Sequence, residues 1–460
     1  MAFTAIVLAA GEGTRMKSKH PKVAHRMLGR PLVVWAVEAA RQAGADRVVV
    51  VVGNGAEEVR ELLADENVEC VLQGERLGTG HALKVALDET GVASGCVAVL
   101  YGDTPLVEPS TIAALTDQVT DGGRAAAVLT MAPEDPTGYG RIVLDDAGEV
   151  VAIVEHKDCT EEQRASLTEC NSGVYAFDGA QLAAHIGEIG NDNVQGEYYI
   201  TDMVEILRGH GLSVTAVHVE DDTEMLGVNS RTQLAEATKV MQRRINGRLM
   251  AEGVTMLDPD LVWVGPGVTV GRDTELLPGT YLWGSTSVGE DCVVGPDSRL
   301  TDTSVGDRCT VDETVAEGAL IENDVSCGPR AYLRPGTHML DGSKAGTHVE
   351  IKKSTIGRGS KVPHLSYIGD TAMGDDVNVG AGSITCNYNG YEKNPTTIGD
   401  RAFIGSNTMM VAPVNLGSDV ITGAASCIVE DVPDGALGIA RARQTNVEGY
   451  AAKRAASRES

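Results

Sequence analysis

From Val264 onward an aliphatic residue recurs at every sixth position: Val264, Val270, Leu276, Leu282, Val288, Val294 and Leu300. Glycine follows it at 265, 271, 289 and 295. The period slips after Leu300. It returns as Ile356-Gly357, Val362 and Ile368-Gly369, and again as Ile398-Gly399, Ile404-Gly405, Met410 and Leu416-Gly417. A sustained hexapeptide repeat predicts a parallel β-helix, each hexapeptide forming one flat face of a triangular coil. The aliphatic residue points inward, and the small residue lets the chain turn the corner. The first half follows other periods. Phe3–Ala9 reads as an apolar strand, and Leu32, Trp35, Ala36, Ala39, Ala40 and Ala43 keep helical spacing up to Gly44. Val48–Val52 is a β-branched run suited to a buried parallel strand, which completes a βαβ unit. Cys96–Leu100 is another buried strand, running into Tyr101-Gly102-Asp103. Leu234, Thr238, Met241, Ile245 and Leu249 predict a helix between the halves.

The pattern divides the chain into an α/β domain over 1–229, a linker helix over 230–250, a β-helix over 251–440 and a basic tail over 441–460. The tail sets Arg441, Arg443, Lys453, Arg454 and Arg458 against Glu448 and Glu459 and is expected to be mobile beyond Tyr450. Composition agrees with this division. The 54 glycines and the 4% aromatic content suit a narrow β-helix that has little room for large rings. Lys and Arg total 38 against 65 Asp and Glu, a net charge of 38 − 65 = −27, which argues against binding along a nucleic-acid backbone or an anionic membrane surface. No apolar run approaches the roughly 18 residues of a membrane span. Met1–Ala10 lacks the basic flank and cleavage site of a signal peptide. The nine scattered cysteines contain no CxxC, so neither a zinc ribbon nor a disulfide framework is indicated. A reducing, cytoplasmic setting is expected.

Chemistry gathers at the C-terminal edge of the first sheet, where open α/β sheets bind ligands. The loop Leu8-Ala9-Ala10-Gly11-Glu12-Gly13-Thr14-Arg15 follows the first strand, and its small residues let backbone N–H groups approach a phosphate or base. It matches neither GxGxxG nor GxxxxGK[ST], so a dinucleotide fold or P-loop ATPase is not supported. Arg15 and Lys22 can hold a triphosphate and neutralise a leaving pyrophosphate. Asp103, at the end of a buried strand, suits Mg²⁺, a hard cation that takes few protein ligands.

These segments, with Leu72-Gln73-Gly74-Glu75 and Gly78-Thr79-Gly80-His81-Ala82, resemble those of sugar-1-phosphate nucleotidylyltransferases. Asp135–Arg141, Ile153–Asp158 and Gln195–Asp202 narrow the resemblance to the bifunctional bacterial N-acetylglucosamine-1-phosphate uridylyltransferase / glucosamine-1-phosphate N-acetyltransferase family, over nearly the whole chain. The resemblance implies a Rossmann-like α/β nucleotidyltransferase domain with a mixed sheet, followed by a left-handed parallel β-helix. Leu8, Ala9, Ala10, Gly11, Gln73, Gly78 and Thr79 would line the uridine end. Arg15, Lys22, Tyr101 and Gly102 belong to the same UDP-sugar site, and Gly140, Glu155 and Asn171 would hold the sugar. Asp103 and Asn229 would be the magnesium ligands. Asn229 lies in Leu226-Gly227-Val228-Asn229-Ser230-Arg231, where the family usually has Glu-Gly-Val-Asn-Asn-Arg.

Three features mark the β-helix as catalytic. Cations cluster at Arg334 and Lys352; His364 supplies a side chain of the usual type for a base near pH 7; and the repeat breaks at Thr385–Thr397 to give a loop bearing Asn387-Tyr388-Asn389-Gly390. The family resemblance implies His364 as the base that deprotonates the glucosamine amine. Arg334, Lys352, Tyr367 and Asn378 would bind the amino-sugar phosphate. Ala381, Asn387, Tyr388, Ser406, Ala424 and Arg441 would contact acetyl-CoA. His348 is a rival histidine, read as a non-catalytic surface or interface residue, and Pro363 stands before His364 where the family has small residues. The implied activities are acetylation of glucosamine 1-phosphate and uridylyl transfer from UTP to N-acetylglucosamine 1-phosphate, in a homotrimer that feeds peptidoglycan and lipopolysaccharide precursors. A single-activity nucleotidylyltransferase with a structural or regulatory β-helix is the alternative; His364 and the Asn387-Tyr388 loop argue against it. Asp103, Asn229, Arg15 and Lys22 argue against a catalytically inert binding protein.

Overall fold

The computed structural model describes residues 3–458; Glu459 and Ser460 of the tail lie outside the described residues. The chain forms two compact units, Met1–Gln242 and Arg243–Ser460. The helix Arg231–Ala251 runs through that boundary, so the predicted linker helix belongs partly to each unit.

The first unit is built on a mixed sheet whose strands lie in the order Val214–His218, Ala126–Met131, Cys170–Asp178, Cys96–Tyr101, Phe3–Ala9, Ala45–Val52 and Glu69–Leu72. Cys170–Asp178 runs antiparallel to both neighbours, and the other neighbouring pairs are parallel. A hairpin of Arg141–Leu144 and Val150–Val154 joins at its margin. The two faces of the sheet bury alternate residues. Ala5, Val7 and Ala9 pack on one side with helix Leu32–Gln42, while Ile6, Leu8 and Ala10 pack on the other with helix Thr79–Thr90. Helices on both faces explain why Val48–Val52 is continuously apolar rather than alternating.

The second unit is a left-handed β-helix of parallel strands stacked in three sheets of 11, 10 and 9 strands. The aliphatic positions read from the sequence are its interior: Val264, Leu276, Leu282, Val294 and Leu300 are fully buried. Each such side chain contributes about 1.5–3 kcal/mol by leaving water. The slip in the period has a simple cause. Leu282 pairs with Leu300, eighteen residues or three hexapeptides on, but Leu300 pairs with Ala316, only sixteen on. Later coils advance by seventeen or eighteen, as Ile351 to Ile368 and Leu333 to Ile351. One coil takes twenty-five, Ala372 to Thr397, and the excess forms the loop around Asn387–Pro395. Corners carry residues of positive φ, among them Asp297, Glu313, Arg330, His348 and Leu365 on one edge. In the tail, Tyr450–Ala456 forms a short exposed helix, which its alanine, lysine and arginine content favours.

Candidate functional site

In the first unit, the first strand ends against Gly102, whose N–H donates to the Leu8 carbonyl at 3.0 Å, so the Leu8–Gly11 loop and the Tyr101–Asp103 turn share one edge. They open on a cleft of about 650 Å³ lined by Leu8, Ala9, Ala10, Gly11, Lys22, Gln73, Gly78, Thr79, Tyr101 and Asp103. The floor of the cleft is tied down. The buried Gln73 side chain donates to the Gly78 carbonyl at 3.2 Å, and the Thr79 hydroxyl accepts from the Ile200 N–H at 3.1 Å. Gly78 has φ +113°, and a side chain there would strike the Tyr198 backbone, so the turn requires glycine.

Lys22 closes one end of the cleft. Its ammonium contacts Asp103 Oδ2 and sits 2.8 Å from Asn229 Oδ1. The Lys22 and Asp103 side chains are only 13% and 14% exposed, so the pair is strongly shielded from water. A Val228 N–H to Asp103 carbonyl bond of 2.8 Å holds the Asn229 segment against the strand end. Beyond Asp103 a second hollow, of about 180 Å³, is lined by Tyr139, Ser172, Gly173, Asn229 and Gln233 together with Tyr101 and Asp103.

The residues expected at the sugar lie side by side. The Asn171 N–H donates to the Gly140 carbonyl at 2.9 Å, and the Asn171 amide donates to the Tyr175 hydroxyl at 2.7 Å. Glu155 lies beside Gly140, and its carboxyl is pushed up by burial and by Asp158, with a Thr201 hydrogen bond opposing. Burial also pushes the Tyr101 phenol up, reinforced by Asp103 and Glu155, between whose fields it lies. Arg15 stands apart: it is exposed on the turn Thr14–Met16 and does not line the cleft. Sequence reasoning missed Arg76 and Glu197, which do line it. Arg76 pairs with Glu12 at 2.5 Å across the mouth. Its place between Gln73 and Gly78 was the available signal.

In the second unit, Arg334, Lys352 and Gly369 occupy successive rungs of one sheet. Arg334 is held by Glu350 at 2.9 Å and lies over the Tyr332 ring. Gly369 leaves open the space in which the Tyr367 hydroxyl accepts from the Asn387 amide at 3.3 Å. The same amide donates to Asp370 at 2.6 Å. A residue that sequence reasoning missed completes the cluster. Lys393, from the inserted loop, meets Lys352, and this neighbouring ammonium holds the Lys393 amine below its ordinary range.

His364 stands on an adjacent sheet, at the end of strand Lys361–His364 and opposite Thr347. The carbonyl of His364 accepts from the Ser366 hydroxyl at 2.7 Å, which fixes the backbone at the corner. Asn378 begins the next strand along that sheet, opposite Lys361. Ala381, Ser406 and Ala424 each immediately precede a positive-φ corner residue, as His364 does. The Asn407 N–H donates to Ala381 and the Ala425 N–H to Ser406, both at 2.8 Å, so the column is continuous. His364, Ser406 and Ala424 are exposed along it, and Arg441 follows in the exposed tail. Tyr388 is exposed on the loop, bridged to Lys393. His348 is itself an exposed corner residue, with φ +55°.

Two family models match. A MobA-like NTP transferase domain covers residues 5–174, and a hexapeptide repeat of succinyl-transferase covers 285–312 and 395–428. The chain is 50% identical over 452 residues to the bifunctional protein GlmU of Caldanaerobacter subterraneus subsp. tengcongensis, covering 98% of each chain. It is 49% identical to GlmU of Streptomyces avermitilis over 98% of this chain and 94% of that one, and 46% identical to GlmU of Halalkalibacterium halodurans over 98% of each. The chain belongs to the GlmU family. GlmU is an enzyme with uridylyltransferase and acetyltransferase activities. The NTP-transferase match falls on the first unit and the hexapeptide matches fall on the second, so each activity of the GlmU architecture has its own fold here.

Proposed function

We propose that this GlmU-family enzyme runs its two reactions in separate sites: acetylation of glucosamine 1-phosphate at His364, and uridylyl transfer to N-acetylglucosamine 1-phosphate in the cleft beside Lys22 and Asp103. The observation that carries this reading is the meeting of Lys22, Asp103 and Asn229 at the end of a cleft floored by Leu8–Gly11, Gln73 and Gly78.

In the uridylyl site, a phosphate oxygen of the sugar attacks the α-phosphorus of UTP. A phosphorus–oxygen bond forms, the bond to the β-phosphate bridge breaks, and pyrophosphate leaves. The attacking phosphate is already anionic, so no general base is needed, and catalysis is positioning plus neutralisation of charge. The Leu8–Gly11 backbone, Gln73, Gly78 and Thr79 hold the uridine end; Gly140, Glu155 and Asn171 hold the sugar. Lys22 carries the cationic share within the cleft; Arg15, exposed on the turn Thr14–Met16 outside its lining, would add charge only from solvent. Asp103 Oδ2 and Asn229 Oδ1 already converge on one cation, the Lys22 ammonium, and this pair of hard oxygen donors suits Mg²⁺. Bound there, Mg²⁺ would supply neutralising charge to the phosphates.

In the acetyl site, His364 takes a proton from the 2-amine of glucosamine 1-phosphate. The freed amine attacks the thioester carbonyl of acetyl-CoA, the carbon–sulfur bond breaks, and CoA thiolate leaves. Arg334, Lys352, Tyr367, Asn378 and Lys393 would bind the amino-sugar phosphate. Ala381, Asn387, Tyr388, Ser406, Ala424 and Arg441 would contact acetyl-CoA, with the Ser406 hydroxyl able to donate to the oxyanion. Within one chain His364 and the cationic cluster lie on different sheets, which supports a trimer whose acetyl sites form at subunit boundaries. A boundary near 229, a linker over 230–250 and a β-helix over 251–440 fit this division of labour, in a cytoplasmic enzyme. The test supplies glucosamine 1-phosphate, acetyl-CoA, UTP and Mg²⁺ and identifies products as each component is omitted. Without acetyl-CoA, no UDP-sugar should form unless N-acetylglucosamine 1-phosphate is given.

A further inference from the structure

At residues given no role in either proposed site, two helices of the first unit end beside each other. Gly179–His185 finishes at His185, the turn Ile186–Glu188 follows directly, and His210 caps Asp202–Gly209. His185 Nδ1 lies 2.6 Å from Glu188 Oε1, and His210 Nε2 lies 3.0 Å from Glu188 Oε2. The two imidazole rings stand 4.0 Å apart at 31°. Among the described residues this is the one group of three metal-binding side chains whose donor atoms all lie within 4.8 Å of one another.

We propose that His185, Glu188 and His210 form a binding site for a divalent transition-metal ion of the zinc type, with water in the fourth position. Two imidazoles and a carboxylate are a common donor set for zinc, and a tetrahedral ion with bonds of ~2.0–2.1 Å sets its donors about 3.3 Å apart. The carboxylate separations of 2.6 and 3.0 Å fall short of that spacing by about 0.7 and 0.3 Å, so modest rotations of the half-buried His185 and the exposed Glu188 and His210 side chains suffice. The alternative occupants of this arrangement are protons. Two protonated rings at 4.0 Å repel each other, and a single carboxylate neutralises only one of them. A divalent cation uses both imidazoles in their neutral form and is balanced by the same carboxylate. Both histidines also come from helix C-terminal ends, where unpaired carbonyls favour positive charge. The backbone is fixed for this purpose: the His210 N–H donates to the Ile206 carbonyl at 3.1 Å, and Ile186 and Ile189 are buried on either side of Glu188. The ion would clip the turn Ile186–Glu188 to the end of helix Asp202–Gly209.

The test titrates chelator-stripped, full-length protein with Zn²⁺ against a chromogenic competing chelator, and with Co²⁺ followed by visible absorption. Wild type should take up one equivalent of zinc that excess Mg²⁺ does not displace. Its Co²⁺ form should show d–d bands without a thiolate charge-transfer band, which excludes the cysteines. A His185→Asn/His210→Asn double variant should lose that equivalent. Glu188→Gln, which keeps the side-chain shape, should weaken binding by at least the ~10–100-fold that loss of an outer partner costs at known sites. Uridylyl transfer in Mg²⁺ should be unchanged in both variants, which reports that they are folded. The proposal is overturned if wild type takes up no zinc against the chelator, or if the folded double variant binds zinc as wild type does.

Discussion

Lys22 and Asp103, eighty-one positions apart, form a shielded ion pair whose ammonium also reaches Asn229. The three side chains come from three separate segments, so the pair is a product of the fold. An ammonium beside two hard oxygens suits a cation, and in the proposed uridylyl site a triphosphate brought there would meet both the lysine and the two oxygens proposed to hold Mg²⁺. Asp103→Asn should therefore abolish uridylyl transfer while leaving acetylation nearly intact. Lys22→Ala should lower uridylyl transfer by about 10²–10³-fold, as loss of one transition-state charge partner does elsewhere. Coupled assays of the two half-reactions decide it: an equal fall of acetylation in folded Asp103→Asn protein would contradict the two-site assignment.

The histidine assignment is tested by comparing two neighbours. His364 ends a strand and heads the Ala381–Ser406–Ala424 column, whereas His348 sits one coil earlier at a left-handed corner. Loss of a general base costs roughly 10²–10⁴-fold. His364→Ala should lose acetylation by that order and keep uridylylation of pre-acetylated substrate, and His348→Ala should keep both. Rates for the two variants at pH 7 to 8 check this. An acetyl defect confined to His348→Ala would transfer the role.

Lys352 and Lys393 face each other with Asp370 nearby. Two ammonium groups in contact are mutually destabilising, and a phosphate between them relieves the repulsion. A charge-assisted bond of this kind is stronger than a neutral one. Lys393→Ala should accordingly raise KM for glucosamine 1-phosphate by about 10–100-fold, with KM for acetyl-CoA little changed. Steady-state kinetics in each substrate separate these, and an effect on acetyl-CoA alone would place Lys393 with the other substrate.

What the sequence made legible follows from which constraints are periodic. The inward strand residue of a β-helix is small or aliphatic in nearly every coil, so Val264 to Leu300 announced the fold. The slip after Leu300 was visible, but its size and cause, a sixteen-residue advance from Leu300 to Ala316, were not, because shortening a corner shifts the period without leaving a residue type behind. Likewise the glycine loop after the first strand and the aspartate after Tyr101 were readable as sheet-edge chemistry. Lys393 was not, since an inserted loop has no period and its partner lies forty-one residues earlier. The His185–Glu188–His210 group needed the side-by-side ends of two helices, which no spacing in the chain encodes.

The separation of His364 from the cationic cluster within one chain also predicts assembly. The acetyl site should be complete only in the trimer. Sedimentation should give a trimer whose dilution or disruption removes acetylation while uridylyl transfer persists. A stable monomer with full acetyl activity would overturn the shared site.

Asp202 gives a prediction with a definite sign in pH. Its carboxyl is raised to about 6, first by burial and then by the nearby Glu205 and Asp158 carboxylates. The first turn of a helix favours a negative charge by ~0.3–1 kcal/mol, and here burial and repulsion outweigh it. The unfolded chain releases this proton near pH 4, whereas the folded chain keeps it until about pH 6. Unfolding between those values releases a proton, so this group lowers stability as pH rises from about 4 to about 6, and the loss persists above. After allowance for solvent screening of a half-buried carboxylate, the loss at pH 7 is about 1 kcal/mol. Asp202→Asn removes the charge and keeps the shape. Its stability relative to wild type should therefore grow by about that amount between pH 4 and pH 7. Denaturant midpoints of the first unit's transition, taken for both proteins across that range, measure the difference. A difference that stays flat with pH, or shrinks as pH rises, would mean that Asp202 ionises in the folded protein as easily as in the unfolded chain.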